Sequence, residues 1–141
     1  GYTYLYRETK DKRYLEQAKN IANFLINHPN MPKDFIPYWD YNAPQIPNTT
    51  RDASAATVMA SALIELSDFV DAKLKRKYMQ VVDTQIRTLA SDEYTAKRGE
   101  NGDFILKHST GAYPFKSEID APLTYADYYY LEALTRLKKR L

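Results

Sequence analysis

The stretch Asp52-Ala53-Ser54-Ala55-Ala56-Thr57-Val58-Met59-Ala60-Ser61-Ala62-Leu63-Ile64-Glu65-Leu66 carries almost no charge on any face and is crowded with small side chains. A helix that is apolar all round has no side to offer to water, so its neighbours must enclose it, and alanine and serine let them come close. Any fold that hides this helix needs an outer layer, and the flanking sequence provides one. Upstream, Tyr14, Leu15, Ala18, Ile21, Ala22 and Leu25 recur at three- and four-residue steps while Lys12, Glu16, Lys19 and Asn20 fall mostly on the other side, which predicts an amphipathic outer helix over residues 11–27. Downstream, after a break at 67–72, Tyr78, Val82, Ile86 and Leu89 alternate with Lys75, Arg76, Lys77, Gln80, Asp83 and Arg87, a second outer helix near 73–91.

Punctuation residues set the ends. Thr9 or Asp11 is suited to cap the helix that follows Glu8-Thr9-Lys10-Asp11, and Pro29 closes that helix before His28-Pro29-Asn30. Residues 29–51 hold five of the seven prolines and no helical period, so they form a long ordered loop. Gly99 to Asp103 is turn chemistry, Phe104-Ile105-Leu106-Lys107 is a short β-prone run, and residues 108–122 form a second loop. Thr124 with Asp127 three residues on looks like a capping box opening a last helix, which ends on Lys138, Lys139 and Arg140. The chain opens Gly1-Tyr2-Thr3-Tyr4-Leu5-Tyr6 without a methionine and with aromatics already at helical spacing, as though inside an element. The order is therefore the tail of one helix, then outer, inner, outer, inner. This predicts an all-α array of helical hairpins, stacked as a toroid or superhelix with long loops before the inner helices.

Composition narrows the function classes. No apolar run approaches the roughly 18 residues of a membrane helix, so no membrane partner is expected. Twenty basic and 18 acidic residues are interspersed to a net charge of +2, which gives no single-sign field for nucleic acid. The absence of cysteine removes disulfides, thiolate nucleophiles and cysteine-ligated zinc, and His28 and His108 are too isolated to form a metal site. Thirteen tyrosines, beside one tryptophan and five phenylalanines, are a heavy load of the side chains that line sugar and peptide clefts as well as helix interfaces.

Two loop segments concentrate candidate chemistry. Tyr38-Trp39-Asp40-Tyr41, followed by Arg51-Asp52 at the mouth of the buried helix, places rings beside carboxylates and a guanidinium. That set suits a carbohydrate, whose C–H faces lie on aromatic rings while its hydroxyls need polar partners. The same rings can equally plug the end of a helix bundle. Asp52 suits both an acid or base role and an ordinary N-cap. Arg51 suits a bidentate clamp on a carboxylate, or an ion pair with Asp40 or Asp52. The second segment, Lys107 to Asp120, crowds donors into one loop, among them His108, Tyr113, Lys116 and Ser117. His108 on its own reads equally as a structural hydrogen-bonding residue. Asn48-Thr49-Thr50 matches a glycosylation acceptor, a short match that arises often by chance.

Two long segments carry a resemblance. Tyr38-Trp39-Asp40-Tyr41-Asn42-Ala43-Pro44 with Arg51 to Ser67, and His108-Ser109-Thr110-Gly111 with Ser117-Glu118-Ile119-Asp120 and Tyr125 to Leu134, are similar to the C-terminal portion of glycoside hydrolase family 88, the unsaturated glucuronyl hydrolases. The resemblance implies the C-terminal part of an (α/α)6 barrel, with residues 1–141 an incomplete part of a single catalytic domain whose missing N-terminal part is its partner. It implies action on unsaturated uronic-acid-containing oligosaccharides made by polysaccharide lyases. In that reaction an aspartate protonates the vinyl ether and activates water, without metal or organic cofactor. The family's two catalytic aspartates lie in its N-terminal half, so none is carried onto this chain. The transferable expectation is that loops 36–52 and 108–118 form a cleft rim, with Tyr38, Trp39, Asp40, Arg51, Asp52, His108, Tyr113, Lys116 and Ser117 as its substrate contacts. The Ser-x-x-Ser-x-Lys pattern by which some members hold a sulfate is missing from Ala112-Tyr113-Pro114-Phe115-Lys116-Ser117.

Two other readings share these residues: a rhamnogalacturonyl hydrolase of similar fold, and a non-catalytic helical module whose aromatics bind a protein. An open part of a toroid exposes its terminal inner helices, so the isolated chain is expected to be marginal, molten or self-associating.

Overall fold

A computed structural model describes residues 1–140 and contains five α-helices: α1 (Tyr2–Thr9), α2 (Lys12–Asn27), α3 (Ala53–Leu66), α4 (Ala72–Leu89) and α5 (Thr124–Lys138). No extended strand occurs among the described residues, so the β-prone run at 104–107 is corrected to an extended segment that meets its neighbour in one isolated bridge, Thr95 to Leu106. The amides of Ile105 and Leu106 go instead to a helix, as described below.

The layers follow the polarity of each helix. In α3, ten of the 14 residues are buried, and the helix touches all four others directly or through their shared core. It packs most extensively on α5, and that contact is made possible by small side chains: Ala53, Ala56 and Ala60 on α3 and Ala126 and Ala133 on α5 are all fully buried. Helices α2 and α4 bury only one stripe each, Ala18, Ala22 and Ile26 on the first and Tyr78, Val81, Val82, Gln85 and Leu89 on the second. They form the outer layer, while α1, α3 and α5 form the inner one.

The single charge inside the apolar run of α3 explains how the inner helices are tied together. Glu65 accepts from Arg7 of α1 at 2.6 Å and from Arg136 of α5 at 3.0 Å, while Glu132 of α5 pairs with the same Arg136 and accepts from the Ser61 hydroxyl of α3. Charge drawn partly out of water needs partners, and here each half-buried carboxylate has two.

Helix starts show where local signals were legible. Asp11 accepts from the Arg13 amide and Asp52 from the Ser54 amide. Asp71, which the sequence reading passed over, caps α4 by accepting from both Lys73 and Leu74. The capping box at Thr124 is corrected: Leu123 occupies the cap position with no side-chain bond, and Asp127 turns outward to accept from the amides of Ile105 and Leu106 at 2.8 and 2.9 Å. A carboxylate holding two consecutive amides outweighs one closing its own first turn, because those amides belong to a loop with no ladder of its own.

Candidate functional site

The loops 28–52 and 90–123 both enter inner helices, so they meet at the same end of the layer, where α3 and α5 begin. Their junction is built from backbone. The Ala53 amide donates to the His108 carbonyl at 3.0 Å, and the Thr110 amide donates to Asp52 at 3.2 Å. Asp52 also accepts from the Ser54 hydroxyl at 2.6 Å, so it is a helix cap that simultaneously holds the second loop in place. Thr110 returns the contact by donating its hydroxyl to the Arg51 carbonyl.

The junction is crowded around Gly111. A Cβ there would stand 2.3 Å from a Glu118 carboxylate oxygen and 2.7 Å from the Tyr125 hydroxyl, closer than any side chain tolerates. The loop from 108 to 120 is strained along its length, since His108, Lys116, Glu118 and Asp120 all hold left-handed φ values between 51° and 62°. Non-glycine residues in that region cost energy that surrounding contacts must offset, and such runs concentrate at functional sites.

The side chains of the two loops then meet. Trp39 and Tyr113 stack face to face, with centroids 4.2 Å apart and planes within 9°, and the indole Nε1 donates to Thr49 Oγ1 at 3.1 Å. Both rings are half-buried, leaving part of each open. Tyr38 lies under the Arg51 guanidinium, 5.1 Å from its ring centre, and the two residues also form an antiparallel bridge.

Arg51 pairs with neither Asp40 nor Asp52, the two partners the sequence reading offered. Its Nη2 donates to Asp34 at 2.5 Å and its Nε to the Ile36 carbonyl at 2.8 Å. Asp34 sits just before the proline-bounded Phe35-Ile36-Pro37 turn, where Phe35 is itself left-handed, so the turn aims its carboxylate at Arg51. Asp40 is exposed and accepts from the Asn42 amide two residues on, a local turn bond.

His108 Nδ1 lies 2.6 Å from Asp120, and its ring meets Tyr94 edge-on at 5.7 Å. Burial pushes the Tyr94 hydroxyl up to about 12. Lys116 and Ser117 are exposed at the far turn of the loop, where Lys116 ends a one-turn 3₁₀ segment, Tyr113–Phe115.

Of the nine residues expected as contacts, Tyr38, Trp39, Arg51, Asp52, His108 and Tyr113 lie together at the junction of the two loops. Asp40, Lys116 and Ser117 lie on its exposed margin. Tyr41 separates from the cluster: it packs on His28 at 4.5 Å and faces Phe24, plugging the end of α2, and burial raises its hydroxyl to about 12. Asp34 and Gly111 were missed as site residues. For Gly111 the Gly-Ala-Tyr-Pro setting was the available signal; for Asp34, 17 residues from Arg51, there was none. Among the described residues no three histidine or carboxylate side chains converge as a metal would need.

Comparison with known proteins adds a frame to this geometry. No family model matches the chain. It is 47% identical over 136 residues to the unsaturated glucuronyl hydrolase of Formosa agariphila, a match spanning 96% of this chain and 33% of that protein. Among solved structures, it superposes with a TM-score of 0.94 and 53% identity on an unsaturated glucuronyl hydrolase specific for heparin, covering all of this chain and 38% of the other. A further structure, a UGL variant with dGlcA-Glc-Rha-Glc, gives a TM-score of 0.88 at 27% identity over 99% of this chain and 37% of its own. The chain thus spans about a third of the length of the curated relatives it matches.

Proposed function

The chain belongs to the unsaturated glucuronyl hydrolases, glycoside hydrolase family 88, and its helices are part of an (α/α)6 barrel; from that premise we propose that it supplies substrate-cleft loops to a glycoside hydrolase. The reaction is removal of a 4,5-unsaturated uronic acid from the non-reducing end of a lyase-generated oligosaccharide. A proton is added to one carbon of the vinyl ether and the hydroxyl of a water to the other, the base taking that water's remaining proton, and the resulting hemiketal opens, releasing the remaining sugar. Residues 1–141 form the C-terminal part of one catalytic domain, and the rest of that ring, N-terminal to it, covers the open faces of α1 and α5. The acid and base belong to that remainder, and no residue of this chain is given the role.

The observation that carries this reading is the Trp39–Tyr113 stack, because it joins the two loops into one aromatic edge at the starts of the inner helices. Tyr38, Trp39 and Tyr113 offer ring faces to sugar C–H groups, with Asp40, Arg51, Asp52, His108, Lys116 and Ser117 arranged around them for hydroxyls and the uronate. The bound oligosaccharide in the UGL variant has four units beginning with an unsaturated uronate, which is the substrate class proposed here.

The test uses the natural full-length chain that contains this sequence. Incubated with unsaturated glycosaminoglycan disaccharides, it bleaches the ultraviolet absorbance of the conjugated double bond. Intact absorbance across a panel of such disaccharides would sink the proposal.

A further inference from the structure

His108 and Asp120 face each other across the neck of the second loop, and the bond between them is more than the loop needs. The neck is already tied by backbone: the Ser109 amide donates to the Ala121 carbonyl at 3.1 Å, the Ala121 amide donates back at 2.9 Å, and the Gly111 amide donates to the Glu118 carbonyl at 2.9 Å. His108 Nδ1 nevertheless lies 2.6 Å from an Asp120 carboxylate oxygen. Both residues hold left-handed φ values, 62° and 52°, which residues with a Cβ avoid unless contacts offset the strain. The two side chains are 39% and 52% exposed, and a pair so open to water stabilises a fold little. Strain at both partners is out of proportion to what the pair adds to folding.

The pair fixes the chemistry of one ring. A carboxylate only accepts, so the hydrogen between the two groups sits on Nδ1, and the neutral imidazole then carries a bare Nε2. No other charged group competes for the ring. Arg51 is held by Asp34 and the Ile36 carbonyl, and the exposed Glu93 makes no side-chain hydrogen bond among the described residues. Nε2 has no hydrogen-bond partner among them either. The ring is also held in place: the His108 carbonyl accepts the Ala53 amide of α3 at 3.0 Å, and Tyr94, 2% exposed, meets the imidazole edge-on at 5.7 Å.

We propose that Asp120 is a positioning residue: it holds His108 in the Nδ1–H tautomer, so that Nε2 stands fixed as an acceptor for a sugar hydroxyl at the cleft. The inference rests on the hydrolase reading, in which His108 touches substrate, and Asp120 acts only through that ring. An acceptor set in tautomer and direction before the sugar arrives loses less entropy on binding than a free imidazole, which divides between two tautomers and its rotamers.

The experiment uses the natural full-length chain with Asp120→Asn and Asp120→Glu, each made with and without His108→Ala. Against an unsaturated disaccharide, Asp120→Asn raises KM about fivefold with kcat in place, Asp120→Glu recovers most of the loss, and in the His108→Ala background Asp120→Asn adds nothing. Unfolding midpoints of the Asp120 variants stay within about 2 °C of wild type, as an exposed pair requires. At mildly alkaline pH, where a free imidazole is neutral, the nitrogen-15 spectrum of His108 moves from the Nδ1–H tautomer in wild type to a mixture in Asp120→Asn. A KM effect that persists without His108, or a tautomer that ignores the substitution, would overturn the proposal. Should the chain turn nothing over, the hydrolase reading falls by itself, and calorimetry with the same disaccharide decides the inference: binding weakened by Asp120→Asn keeps it, and equal binding overturns it.

Discussion

At the scale of single residues, the junction between the loops makes sharp demands. Gly111→Ala forces a methyl group against Tyr125 and Glu118. The exposed Glu118 can swing away, whereas the tyrosine is anchored on α5, so we expect a loss of about 1–2 kcal/mol in urea unfolding. Asp127→Ala strips two loop amides of a charged acceptor, and with no replacement inside the protein the expected loss is larger, about 2–3 kcal/mol by the same measurement. The buried tyrosines set an alkaline limit. Tyr41 and Tyr94 are raised from 10.0 to about 12, so above pH 10 the unfolded chain has lost protons that the folded chain keeps. Stability is therefore complete below pH 10 and drains away as pH rises toward 12. Urea midpoints measured across that range should fall less steeply for Tyr94→Phe than for wild type; parallel curves would contradict the assignment. Much of this layer was illegible beforehand. The aromatic and charged residues of the rim stood out by composition, but Arg51 found Asp34 through a turn whose left-handed Phe35 no periodicity announces.

Elements were read more reliably, because helical period is a property of many residues at once. The apolar, small-residue run became the enclosed α3, and the two amphipathic runs became α2 and α4 with ends within about two residues. Errors fell where a side chain had two possible uses. Asp127 had the spacing of a capping box and serves a distant loop instead, and Phe104 to Lys107 had strand propensity without a neighbouring strand to pair with. The α3–α5 contact yields the test at this scale. Since Ala60 is fully buried between close helices, Ala60→Leu inserts three carbons where no space exists. The expected cost is about 2 kcal/mol in denaturant, and a neutral result would mean that the two helices can separate without penalty.

For the whole molecule, the decisive observation is where apolar surface remains uncovered. Tyr2, Tyr4 and Leu5 on α1, Ile21 and Phe24 on α2, and Tyr125, Tyr128 and Leu131 on α5 are all more than a third exposed. These faces are left uncovered by the other helices. Sedimentation velocity on the isolated 141 residues should therefore show self-association, and a sharp two-state melt of a monomer would contradict that expectation. Glu65, with its arginines from both α1 and α5, ties the three inner helices together beside their apolar core. The stack of Trp39 on Tyr113 has a use of its own. It contains the sole indole of the sequence, so the chain carries a built-in optical reporter at a place where its two loops touch. Any event that parts those rings, whether ligand entry or loop opening, will be visible in the emission of a single fluorophore without labelling.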